Sequence, residues 1–189
     1  PAINTQLVHF PVVHPEVLAL YPGPLRPVYR NYTYFAYFEY SWPKGIMHSG
    51  GSTSHLANRL AVHLGAKEIV YVALDNCYEK HATENSYRSH CHGLGYEEWA
   101  GYHPIEYFSK EKNHAPAYKV IAFDGSAAVT NVTYHQWAKE FEEEVLVLGL
   151  EGRVYHTNPK AVAIAGVKYS PLETICNSIE DTVDRSVFT

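Results

Sequence analysis

A chain of 189 residues can bury one substantial core, and a composition of 46% hydrophobic against 19% charged residues excludes a disordered polymer. The formal charge of −5 supplies no basic stripe for a phosphate backbone, so nucleic acid is not an expected partner. Cys77, Cys91 and Cys176 make too sparse a set for a disulfide scaffold and suit a reducing, cytoplasmic setting; no apolar run nears the ~20 residues of a membrane span.

Residues 6–13 read as a strand interrupted by Pro11, and Pro15, Pro22, Pro24 and Pro27 then predict an irregular connection. The aromatic run 28–40 (VYRNYTYFAYFEY) predicts a second strand, closed by the turn signal Trp42-Pro43-Lys44-Gly45. The clearest helix spans 53–64. Leu56, Leu60 and Leu64 recur at every fourth position, Ala57 and Ala61 widen that face, and Gly65 stands where a terminating glycine belongs. Residues 68–75 (EIVYVALD) predict a strand buried on both faces, with Asp75 at its end.

Residues 76–117 hold no clean period but carry His81, His90, His92, His103 and His114, which predicts a lid insertion. Residues 117–123 read as another buried strand, followed by the turn signal Asp124-Gly125. A second helix is expected to start near Thr133, with Gln136 completing a capping box. Trp137, Phe141 and Val145 form its buried face, and Glu140, Glu142, Glu143 and Glu144 its solvated side. Residues 153–156 predict a final strand, and the chain from Ser170 a short closing helix. This order predicts a single α/β domain built on an open, mostly parallel, Rossmann-like sheet with flanking helices.

In such sheets ligands bind beyond the carboxyl ends of the strands, which points to Gly50–Thr53, Asp75 and the segment from Asp124 to Thr130. Gly50-Gly51-Ser52-Thr53 lies directly before the clearest helix. Two glycines let the backbone approach a ligand, and the unpaired N–H groups of the helix start favour a phosphate or carboxylate; the simpler reading is a helix cap at Ser52 or Thr53. Asp75 could hold Mg²⁺ bound to phosphates or accept hydrogen bonds from ribose hydroxyls, and otherwise forms a turn with Asn76. We take Gly50, Gly51, Ser52, Thr53, Asp75, Asn76 and Thr130 as the ligand-binding set, with Asp75 as the metal ligand. His90, His92 and His103 are the candidate general bases, because imidazole titrates near neutrality; His114 competes with them. His90-Cys91-His92 with Cys77 and His81 suggests zinc only weakly, since no CxxC or HxxxH pair is present. Sixteen tyrosines could line a polar pocket, although strands also tolerate them well.

Gly50-Gly51-Ser52, the helix, and Leu64-Gly65-Ala66-Lys67-Glu68-Ile69 through Asp75 together resemble the MptE-like family. That family reads Gly-Gly-Ser-Val, an alanine- and leucine-rich helix, Leu-Gly, and a strand ending Gly-Gln-Asp-Leu-Ala-Tyr. Asp124-Gly125, Val129-Thr130, Tyr134, Trp137, Phe141-Glu142, Ala163-Ile164-Ala165-Gly166 and Pro171-Leu172-Glu173 continue the resemblance, which extends over residues 45–173. Ala73-Leu74-Asp75-Asn76-Cys77-Tyr78 keeps the Asp and the Tyr and replaces the Gly-Gln pair. The family's first strand, its Gly-Pro-Ser-Leu turn and its Pro-Asp element have no counterpart here, so the expectation is either a piece of a longer protein with a missing N-terminal segment or a minimal member that has lost part of the donor site, with a homo-oligomer as the candidate partner.

The family includes 6-hydroxymethylpterin diphosphokinases, motility accessory factors that glycosylate flagellin, and phage-encoded members; its fold is similar to that of bacterial sialyltransferases. The resemblance implies a transferase holding a nucleotide-linked donor at Gly50–Ser52 and Asp75. A glycosyltransferase using a CMP-activated sugar is the first expectation. A pterin diphosphokinase using ATP and Mg²⁺ is the second, and a non-catalytic binding or structural protein of phage type the third.

Overall fold

The computed structural model describes residues 5–78 and 117–178, and its chain divides into two compact units, Pro1–Gly65 and Ala66–Thr189. Mixed α/β structure with small, mostly parallel sheets runs through both. The continuous open sheet expected from the sequence is replaced, among the described residues, by sheets of two or three strands.

The first unit contains β1 (Leu7–His9), α1 (Pro15–Leu20), β2 (Leu25–Pro27), β3 (Tyr29–Arg30), α2 (Thr33–Ser41), β4 (Ile46–Met47) and α3 (Thr53–His63). β1 pairs with β2 and β3 with β4, both in parallel. Only Val28 separates β2 from β3. Its N–H donates to His9 O at 2.9 Å, while Tyr29 N donates to Gly45 O at 2.9 Å. One extended segment therefore serves β1 with its first half and β4 with its second, and Pro27, which has no N–H to give, stands beside the handover.

Two expectations are corrected here. The proline-marked connection contains a short helix, because Pro15 occupies the first helical position, where its missing N–H costs nothing. The aromatic run is a strand only at Tyr29–Arg30, and residues 33–41 are α2. Neighbouring parallel strands need a crossover between them, so tertiary pairing overrides the β preference of tyrosine and phenylalanine. Helical spacing then brings rings three and four residues apart together: Phe35–Phe38 at 6.4 Å and Phe38–Trp42 at 6.4 Å, with Phe35 the buried anchor.

Helix α3 and its stop match the expectation, with Gly65 in the left-handed region at φ +83°. Its buried face differs. His55, Leu56 and Asn58 are buried while Leu64 is exposed, so two polar side chains share the face that periodicity assigned to leucine and alanine alone.

The second unit contains β5 (Ile69–Tyr71), β6 (Tyr118–Ile121), β7 (Ala127–Thr130), α4 (Val132–Val147), β8 (Val154–His156), β9 (Lys168–Tyr169) and α5 (Leu172–Ser178). β5, β8 and β9 form a parallel sheet in the order β5-β8-β9. β6 and β7 form an antiparallel hairpin about Asp124-Gly125, so residues 117–123 are not the doubly buried parallel strand predicted; β6 alternates half-buried and exposed positions. Asp124 Oδ1 accepts from Ser126 N at 3.0 Å and Oδ2 lies 2.6 Å from Lys160 Nζ, interactions that hold this carboxyl well below the usual carboxylate range.

β8 is not the last strand, since β9 follows it. α4 starts before Thr133, with Asn131 Oδ1 accepting from Tyr134 N at 2.8 Å, and Gln136 reaches forward to Glu140 instead of closing a capping box. Glu144, assigned to the solvated side, is buried. Phe141 and Val145 are buried as expected, with Phe141 against Tyr71 at 5.2 Å between ring centroids. Burial, and then the Glu144 carboxylate, push the Tyr71 phenol pKa up.

Gly166 closes this core. It sits at φ +81°, and a Cβ there would lie 2.6 Å from Val145 Cγ1. Gly166→Ala is expected to cost roughly 2–4 kcal/mol, combining left-handed strain with overpacking. Urea denaturation measures it, and wild-type stability in the variant would contradict this packing.

Candidate functional site

In the first unit, the parallel pairings carry three carboxyl ends to one edge: Phe10 after β1, Arg30 and Tyr32 at the end of β3, and His48 through Ser52 after β4. Ser52 is the N-cap of α3, and His55 takes the place usually held by Glu or Gln in a capping box. Ser52 N donates to His55 Nδ1 at 3.2 Å, and Ser52 Oγ lies 2.9 Å from the same nitrogen. Accepting the N–H fixes Nδ1 as the unprotonated nitrogen. Gly51 and Thr53 are exposed, whereas Gly50 and Ser52 are half-buried. The helix thus begins beneath an accessible double-glycine turn.

Sequence reasoning passed over Arg30. Its Nη2 donates to Gly50 O at 2.7 Å, fixing the turn from below. The guanidinium lies 4.6 Å from the Tyr32 ring centroid and 5.4 Å from that of Phe10, within cation–π range of both. Its Nε is buried and has no hydrogen-bond partner among the described residues. The available signal was an arginine in a run of strand-forming aromatics that ends beside a turn-and-helix motif.

In the second unit, β5 ends at Tyr71, so Asp75 stands four residues beyond the strand on an irregular segment, not at its end. Two non-glycine residues flank it in the left-handed region, Ala73 at φ +57° and Asn76 at φ +51°. Asparagine tolerates that conformation; alanine pays for it. Ala73 occupies the place where the family's motif carries glycine.

The Asp75 segment is tied down through its backbone. Val162 N donates to Asp75 O at 3.0 Å, and Thr130 Oγ1 donates to Asn76 O at 2.7 Å. Thr130 is fully buried, so its hydroxyl holds this loop against β7. His156, also fully buried, accepts from Asn158 N at Nδ1 (3.0 Å) and donates through Nε2 to Leu74 O (3.1 Å), with Phe123 stacked on its ring at 5.3 Å. Burial lowers the His156 pKa, against the opposing pull of the Leu74 carbonyl and Asp75. Asp75 Oδ1 is 3.8 Å from His156 Nε2, beyond hydrogen-bond reach, and is buried without a hydrogen-bond partner among the described residues.

Cys77 lies beside this loop, and burial, then the charge of Asp75, push its thiol up to about 11. It is therefore a poor thiolate nucleophile near neutrality.

The structure thus groups Asp75, Asn76 and Thr130 in the second unit, and Gly50, Gly51, Ser52 and Thr53 in the first. His90, His92 and His103 lie outside the described residues, as do His114, Cys91 and nearly all of the lid segment. Among the described residues no three His, Cys, Asp or Glu side chains converge to hold a metal ion, and no helix is long and apolar enough to cross a membrane.

Residues 2–81 match the family described as 6-hydroxymethylpterin diphosphokinase MptE-like. The matched segment includes the double-glycine turn, α3 and the Asp75 loop. The match begins well before residue 45, where the resemblance starts, and stops at residue 81, within the segment predicted as a lid. No curated protein and no solved structure matches the chain.

Two measurements probe the Asp75 loop. Ala73→Gly is expected to raise stability by about 0.5–1 kcal/mol, the left-handed penalty less the entropy of glycine, and an unchanged or lowered urea midpoint would contradict the strain. His156 is neutral when folded, while the unfolded chain binds a proton near the ordinary value of ~6.5. The unfolded state therefore gains protons first as pH falls, and stability declines below about pH 6.5. Melting temperatures from pH 7.5 to 5.5 should fall less steeply for His156→Gln than for wild type; equal slopes would refute a neutral buried imidazole.

Proposed function

We propose that the protein is a nucleotide-dependent transferase, a glycosyltransferase drawing on a CMP- or other nucleotide-activated sugar, whose donor phosphate is received at Gly50–Ser52. One observation carries this reading: the double-glycine turn, exposed at Gly51, stands at the first turn of α3, on the carboxyl edge of parallel strands. Ser52 N is engaged by His55 Nδ1 in the capping box, which fixes the turn, and the helix dipole favours negative charge at that end. Glycine at position 51 lets a phosphate approach the backbone, because no Cβ stands between them. The charge of the unit supports the same reading. It holds four Lys and Arg residues against two Glu, although the whole chain is acidic.

Such a turn acts by positioning. It fixes the donor's phosphate and accepts the negative charge that grows there as the bond to the transferred group breaks. The proton released by the acceptor hydroxyl is assigned, on sequence grounds, to His90, His92 or His103. The free thiols of Cys77 and Cys176 fit a reducing, cytoplasmic setting.

A specific observation favours a second reading, diphosphoryl transfer from ATP to a pterin. Asp75 Oδ1 is a buried acceptor that takes no hydrogen bond among the described residues, and one carboxylate combined with substrate phosphates suits Mg²⁺. Asp75 would hold the ion, which would neutralise phosphate charge.

A thermal-shift panel separates the readings. CMP or a CMP-sugar is expected to raise the melting temperature without metal, and Gly51→Val, an exposed position, should remove the rise while leaving the unliganded melt near wild type. A rise confined to ATP with Mg²⁺ and lost in Asp75→Ala selects the diphosphokinase. No shift with any nucleotide rejects both in favour of a non-catalytic binding protein.

A further inference from the structure

Resting on the phosphate-binding reading of the Gly50–Ser52 turn, we propose that Arg30 is the residue that binds the donor's phosphate charge, with its guanidinium as a preformed anion receptor. The side chain is already held. Nη2 is committed to Gly50 O at 2.7 Å, and the rings of Tyr32 and Phe10 lie within 4.6 and 5.4 Å of the guanidinium carbon. These contacts hold the guanidinium at the carboxyl edge, where Arg30 stands in register with Met47 at the end of β4.

Among the described residues no carboxylate offsets its charge. The described acids of the first unit are Glu16 and Glu39, and both Glu39 oxygens accept backbone N–H groups of Lys44 and Gly45. Glu16 sits exposed in the first turn of α1. No carboxylate pairs with Arg30 among the described residues, and its buried Nε donates to none of them. Arg30 is half-buried, and an arriving anion supplies the counter-charge that the described residues do not. Guanidinium offers planar paired donors that match phosphate oxygens, which lysine does not. Arg30 therefore does two things at once: it shapes the glycine turn through Gly50 O and presents charge beside it. The ligand chemistry is a phosphate or diphosphate monoanion or dianion, free or attached to a nucleoside.

Calorimetric titration of the full chain with CMP, ATP and inorganic pyrophosphate, each at 20 and about 200 mM salt, tests this. Wild type is expected to bind pyrophosphate and a nucleotide, more weakly at high salt. Arg30→Gln loses the charge while keeping a polar amide; it should lose about tenfold or more in affinity and show a shallower salt dependence. Arg30→Lys should recover only part of the loss and retain the salt dependence. Wild-type affinity in Arg30→Gln, or a loss with an unchanged salt dependence, overturns the proposal while leaving nucleotide binding intact. Pyrophosphate binding that needs Arg30, without nucleotide binding, upholds Arg30 and rejects the nucleotide donor. Binding of neither ligand by wild type rejects both. If Arg30→Gln does not fold, Arg30→Lys decides: undiminished affinity in it overturns a role for the guanidinium fork.

Discussion

Parallel pairing of residues 25–30 with β1 on one side and β4 on the other is the constraint from which the first unit follows. A parallel neighbour cannot be reached by a tight turn, so each pairing demands a crossover, and α1 and α2 are those crossovers. The same pairing sends Phe10, Arg30 and the Gly50–Ser52 turn to a common edge. That edge owes its chemistry to topology before it owes it to any single side chain. The strands are only two or three residues long, so hydrogen bonds at their ends, Val28 N to His9 O and Tyr29 N to Gly45 O, carry much of the register.

At the edge, polar groups shape one another. Arg30 holds the carbonyl of Gly50, Ser52 caps α3, and His55 takes up the amide of Ser52. A glycine turn without such supports would lose much of its binding energy to ordering itself. With them, the turn is held in one arrangement.

The second unit places its acid differently. Asp75 is not lifted to a strand end; it hangs on a loop fixed by Val162, Thr130 and the neutral His156, with alanine in a conformation that prefers glycine. Buried imidazole serves here as a doubly hydrogen-bonded spacer between Leu74 and Asn158. Its low basicity follows from that burial and gives it no catalytic charge. Strain of this sort persists where surrounding packing enforces it, and the hydroxyl of Thr130 is part of that enforcement.

Local rules sufficed for the features that local chemistry controls. Helix α3 with Gly65 after it, the Asp124-Gly125 turn, the glycine pair before a helix and the MptE-like resemblance were all legible along the chain, because caps, turns and amphipathic faces act within a few residues of themselves. Pairing partners were not legible. Strands of two to four residues are too short to display a period, so the aromatic run 33–41 resembled a strand until its place between β3 and β4 made it a helix. The polar side chains His55 and Asn58 inside α3, the early end of β5, the hairpin at 118–130 and the contact of Arg30 with Gly50 also depend on residues distant in sequence. The sequence by itself determined where the chain turns and which helix starts could face an anion. The tertiary structure decided which charge stands beside that start, because only folding brings a strand end and a distant turn within hydrogen-bond distance.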